Sequence, residues 1–151
     1  MSGREIPDAA ERWVHGMCYP FAFALHERTG WPMRGLAAIR NPRRGVQIAH
    51  LWVVRPDGTP IDAGGTFDVD ALTDDFMRHE AQSCRESQHY REFPDRESFM
   101  RFARETEPEF YSSIEDFFER SAEQASAALE MFAADHLAEL LEYENEPAFE
   151  P

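Results

Sequence analysis

The chain has 151 residues, 42% of them hydrophobic and 13% aromatic, with 29 acidic residues against 15 basic ones and a net charge of -14 at neutral pH. That length suits one domain burying roughly 70% of the surface its unfolded form exposes, and twelve Phe exclude a disordered chain. The charge disfavours direct binding to nucleic-acid phosphates or anionic membranes and suits a basic protein partner.

Residues 7–15, PDAAERWVH, read as a short helix with Pro7 or Asp8 near its start and Gly16 at its end. Residues 19–29 follow helical spacing through Phe21, Ala22, Ala24, Leu25 and Arg28, with Pro20 tolerated in the first turn and Gly30 as the stop. Cys18, three residues before Phe21, belongs to the inward stripe of that helix. Residues 34–39 read as a strand leading into a basic turn.

Val46 to Val54 reads as the next strand, and its return segment, PIDAGG, carries Asp62. The loop between them decides whether His50 and Asp62 share a face. A two-residue Asp57-Gly58 loop would place Asp62 opposite Val53, away from His50. A type I turn through Pro56-Asp57 with Gly58 in the left-handed bulge position places Asp62 opposite Trp52, on the side of His50. Leu51, Val53 and Ile61 then line the other side. Pro, Asp, Gly is the chemistry the second turn prefers, so that register is expected.

Beyond Gly65 the chain becomes helical and acidic. Helices are expected over 69–87, with Phe76 and Met77 inward, and over 95–105, with Phe99, Phe102 and Ala103 inward. A long one is expected over about 108–141, where Phe110, Ile114, Phe117, Ala125, Leu129, Phe132, Leu137 and Leu141 recur mostly at steps of three or four residues. The tail YENEPAFEP is expected to be mobile. No linker or repeat divides the chain, so residues 1–151 form one domain, with a core over 13–65 and a helical, acidic part over 69–141. The fold class is α+β: an N-terminal helix headed by Cys18, packed on a small antiparallel sheet and followed by a helical half.

A thiol acts as a nucleophile only when ionised, and a helix N-terminus beside a histidine favours that form. Cys18 has both prospects. His50 can take the proton and return it to a leaving group, while Asp62 holds the imidazole in the useful tautomer. The chemistry so read is acyl transfer from an amide or ester of a protein or peptide substrate through a thioester at Cys18, with no cofactor and no metal. The backbone N–H of Cys18 or Tyr19 can supply one oxyanion donor. Trp13, Tyr19, Gln47 and Trp52 are candidates for further oxyanion or substrate contacts. His15 is a competing base, and His26 is expected in solvent.

The order Cys, His, Asp resembles that of the transglutaminase-like and papain-like cysteine enzymes. Gly16-Met17-Cys18 followed by Phe21-Ala22 and Ala24-Leu25 resembles their nucleophile helix. His50-Leu51-Trp52-Val53-Val54 followed by Ile61-Asp62 resembles their His and Asp strands. The resemblance covers roughly residues 13–65 and implies a small bacterial or phage-type member, an α+β fold and a peptidase, amidase or amide-transferase role. No Gln precedes Cys18 to serve as an oxyanion residue.

Other readings stand beside this one. Cys18 can be a small core residue, His50 a strand-start histidine and Asp62 a turn acceptor. The protein would then be a non-enzymatic acidic binder or nucleic-acid mimic that blocks a basic partner, or an inactivated relative that binds a peptide in the old cleft. His79, Cys84 and His89 invite a zinc reading, but steps of five turn successive side chains by roughly 140° on a helix, which suits a zinc pair poorly. All fifteen basic residues are Arg and none is Lys, which either GC-rich coding or avoidance of a lysine-directed modification explains. Two cysteines cannot build a disulfide framework, no apolar run approaches a membrane span, and MSGREIPDAAERW lacks the apolar stretch of a secretory signal, so a cytoplasmic location is expected.

Overall fold

In the computed structural model, which describes residues 5–41, 45–79 and 89–143, a 3-10 turn at Asp8–Ala10 runs into the one-turn helix α1, Glu11–Val14. Gly16 then takes φ +116, a value that glycine adopts without strain, and the chain turns into α2, Cys18–Thr29. Pro20 sits in the first turn of α2, where a missing N–H costs no helical hydrogen bond. Gly30, at φ +77, ends the helix by donating its N–H to the His26 carbonyl at 2.7 Å.

Among the described residues five strands follow the α2 stop: β1 Met33–Asn41, β2 Gly45–Val54, β3 Pro60–Asp62, β4 Gly65–Thr66 and β5 His89–Phe93. They form one antiparallel sheet in the order β4-β3-β2-β1-β5. β1 is longer than the 34–39 expected. The strand β5 was not expected at all, because His89 to Phe93 carries no clear apolar alternation.

The two faces of the sheet are set by the pairing of β1 with β2. Val53 faces Met33, Leu51 faces Gly35 and Ile48 faces Ala37. All but Gly35 belong to the main apolar core, together with Phe21 of α2. Leu51 and Ile48 share that side although three residues apart, because the ladder slips by one residue between Leu36 and Ala37, leaving Ala49 as a β-bulge. Trp52, His50 and Gln47 therefore share the opposite side, facing Arg34, Leu36 and Ala38. Helix α3, Val69–His79, lies on that side, where its buried Thr73 hydroxyl meets the Tyr90 hydroxyl at 2.7 Å.

Helix α4, Arg96–Thr106, matches the pattern over 95–105 and begins with a reciprocal cap: Asp95 accepts from the Ser98 N–H, and the Ser98 hydroxyl oxygen accepts from the Asp95 N–H. The long apolar pattern resolves into a 3-10 turn Pro108–Phe110, helix α5 Tyr111–Ala133 and a short α6, Ala138–Leu141. Between α5 and α6 the chain turns a corner in which the Leu137 N–H reaches back to the Phe132 carbonyl at 3.0 Å. No Pro or Gly marks the break. Burial of Leu137 in the core is the competing demand that ends the helical repeat. α2 lies between the sheet and α5, where Tyr19, Phe23, Phe99 and Phe118 meet edge to face.

The pattern over 69–87 yields a helix only to His79, and 80–88 falls outside the described residues. Tyr143, the first residue of the tail, is held: Arg55 lies over its ring at 4.5 Å and Trp31 meets it at 6.1 Å. Among the described residues no helix is long and apolar enough to cross a membrane.

Candidate active site

The hairpin tip sets the site. The Gly58 N–H donates to the Arg55 carbonyl at 2.7 Å, the Arg55 N–H donates to the Thr59 carbonyl at 2.9 Å, and Gly58 takes φ +93. This is the three-residue loop with a left-handed glycine. Arg55 also grips Asp57 at 2.7 Å, which holds that carboxyl well below the usual range. With this loop, Val53 pairs with Ile61 and Val54 with Pro60, so Asp62 comes opposite Trp52 on the side of His50.

There the His50 Nε2–H donates to Asp62 Oδ2 at 2.8 Å. The other carboxylate oxygen, Oδ1, accepts the Gly64 N–H at 2.9 Å, so both oxygens are fixed. His50 is walled by Trp52 at 5.8 Å and Phe67 at 6.0 Å between ring centroids. β3 pairs with β2 only through Val53 and Val54. The edge of β2 beside Ile48 to His50 is thereby left to the start of α2, where the Tyr19 hydroxyl donates to the Ile48 carbonyl. At this edge Cys18 comes near enough to His50 for its sulfur to act on the charge of the imidazole. Nε2 is committed to Asp62, so Nδ1 is the nitrogen available to the sulfur.

Cys18, His50 and Asp62 are 8%, 7% and 3% exposed. Burial works against a charged imidazole, but the charge of Cys18 and the hydrogen bonds and charge of Asp62 outweigh it, raising His50 from 6.5 to about 9. The charged form of the ring is thereby favoured, with the Asp62 carboxylate hydrogen-bonded to Nε2. Cys18 is also the first residue of α2, so its sulfur lies at the positive end of a helix.

The remaining candidates separate by position. Trp13 is buried against Phe21 at 6.2 Å, one turn along from Cys18. The Tyr19 hydroxyl is engaged by Ile48, and its ring lies against Phe99 and Phe118. Gln47 is half-buried on the His50 side of β2. Trp52 is fully buried, and its indole Nε1 has no hydrogen-bond partner among the described residues. His15 is exposed, with Nε2 4.0 Å from Glu11. His26 is half-buried, with Nδ1 2.7 Å from the Trp31 carbonyl, where solvent was expected. Among the described residues no group of three His, Cys, Asp or Glu side chains is arranged to hold a metal ion. Cys84 and the side chains of His79 and His89 lie outside them.

His136 was not singled out by the sequence. From the corner after α5, its Nε2–H donates to the Ala63 carbonyl at 2.7 Å, bracing the residue next to Asp62. Its place between Phe132 and Leu137, within the single helix expected there, gave no signal for that role. Phe67 was missed because it sits in a loop between β4 and α3 with no periodicity to read. No protein-family model matches this chain, and no curated protein or solved structure does.

Proposed function

We propose that this protein is a cysteine-dependent acyl-transfer enzyme acting on an amide or ester, with Cys18 as nucleophile, His50 as general acid and base, and Asp62 as the residue that orients His50. The supporting observation is the buried trio of Asp62, His50 and Cys18, in which the imidazole is hydrogen-bonded to the carboxylate and feels the charge of the nearby sulfur. In the reactive form the proton rests on His50 and the Cys18 sulfur is a thiolate. The sulfur adds to the substrate carbonyl, and the Cys18 N–H, in the first helical turn, steadies the oxygen that becomes negative. His50 gives its proton to the departing amine or alcohol, leaving a thioester on Cys18. The imidazole then takes a proton from water, or from an amine, as that molecule attacks the thioester and frees the sulfur. Asp62 keeps Nε2 occupied throughout, so the proton that moves is the one on Nδ1.

The test is selective alkylation. Iodoacetamide near neutral pH should label Cys18 far faster than Cys84, and His50→Ala should reduce the Cys18 rate on the order of 100-fold or more. Equal labelling of the two cysteines in the wild-type protein would sink the proposal. The depth of the site favours the competing reading, a core cysteine in a non-enzymatic acidic binder, since Cys18 exposes only 8% of its surface. That reading expects slow labelling and a salt-sensitive complex with a basic partner that survives Cys18→Ala.

A further inference from the structure

We infer that Tyr19 is a positioning residue that holds the Cys18 sulfur and the His50 imidazole together, by tying the start of α2 to the β-bulge of β2 through its hydroxyl. This rests on the catalytic reading of Cys18 and His50. Tyr19 follows Cys18 directly, and Ile48 precedes His50 by two residues. The bond from the Tyr19 hydroxyl to the Ile48 carbonyl is thus a short brace spanning the two elements that carry the reacting pair. The ring gives the brace a fixed root, lying edge-on to Phe99 at 5.0 Å and Phe118 at 5.8 Å. The point it grips would otherwise be soft, because a bulge interrupts the ladder and frees the local backbone to bend. On the far side of the bulge there is no slack: a Cβ at Gly35 would lie 2.8 Å from Ile48 Cγ2 and 3.3 Å from the His50 carbonyl oxygen. Gly35 and Tyr19 thus confine the same three residues from two directions. Reactive groups displaced by about 1 Å lose rate on the order of 100-fold, so a brace at this point governs chemistry out of proportion to one hydrogen bond.

Tyr19→Phe removes the hydroxyl and keeps the ring. The full chain and this variant are treated with iodoacetamide from mildly acidic to alkaline pH, Cys18 and Cys84 labelling is followed by peptide mass, and melting is followed by circular dichroism. In the wild-type protein Cys18 should react in mildly acidic solution, where Cys84 reacts slowly. In Tyr19→Phe that acid-side rate should fall on the order of 10- to 100-fold, and the pH profile of Cys18 should approach that of Cys84. A folded Tyr19→Phe with a lowered melting point but an unchanged Cys18 profile overturns the inference alone. A wild-type protein whose Cys18 shows no acid-side reactivity, and no change in His50→Ala, overturns the catalytic reading and this inference with it. Should Tyr19→Phe not fold, Gly35→Ala, which pushes the same bulge from the other side, is read by the same profile. A wild-type profile there overturns the inference.

Discussion

The residues Asp62 and Ala63 are neighbours held by two very different regions. Asp62 is bound by His50, twelve residues back along one hairpin, and Ala63 by His136, seventy-three residues on, at the corner between α5 and α6. The hairpin contact follows from the loop that joins its strands: once Gly58 takes the left-handed conformation, the pleat leaves Asp62 only the His50 side. The corner contact follows from nothing local. It exists because α2, the sheet and α5 pack around one apolar core, and the price of fitting Leu137 into that core is a broken helix. One region specifies the site by counting residues, the other by closing the fold.

The largest expected effect comes from breaking the hairpin link. Asp62→Ala would strip the buried His50 imidazole of its carboxylate partner and should cost ~3–5 kcal/mol in denaturant unfolding, with loss of selective Cys18 labelling. Asp62→Asn should keep more of the stability and still lose the labelling. pH sharpens the same link. Since His50 is raised from 6.5 to about 9, its contribution is full below about 6.5 and is lost as pH rises through about 9. The melting-temperature gap between wild type and His50→Ala should narrow over that window, and acyl transfer should fall as the proton needed by the leaving group is lost. Gly58→Val places a branched side chain at φ +93 and should cost ~1–3 kcal/mol. Cys18 labelling should weaken wherever the hairpin pairs out of register. The smallest effect is expected at the corner: His136→Ala removes one hydrogen bond, worth ~1 kcal/mol, and should slow Cys18 labelling only slightly. If His136→Ala abolished labelling as completely as Asp62→Asn, the division between the two regions would be wrong.

The same division explains what was legible in the sequence. Pro56-Asp57-Gly58 carries its turn in its chemistry and Gly30 its stop, and each of these elements lies within a residue or two of its expected place. The side on which His50, Trp52 and Asp62 meet could be read because alternation along a strand is strict. The bulge at Ala49 could not, since Ala is neutral to such a slip and only the packing of Ile48 against Ala37 and the core demands it. The corner after Ala133 was missed although the step of five from Phe132 to Leu137 turns Leu137 roughly 140° off the stripe of a continuous helix, and the break answers to neighbours far away in sequence. Tyr19 was read as an oxyanion or substrate candidate, and the bond from its hydroxyl to Ile48 was not, because a sequence does not show which carbonyl lies over a helix start.

The bulge has a consequence for how this chain can vary. β2 and β3 carry the site by parity, with Ala49 adding one residue at one end and the tip at Pro56-Asp57-Gly58 fixing the count at the other. Substitutions along these strands change one contact at a time, whereas a one-residue deletion between Ile48 and Val54, or between Thr59 and Asp62, turns a whole run of side chains over. The stretch should therefore accept drift in composition and reject drift in length. Insertions, which surface hairpins ordinarily absorb, should be confined to the tip itself, and a library of single-codon deletions across the gene should show its sharpest loss of function here.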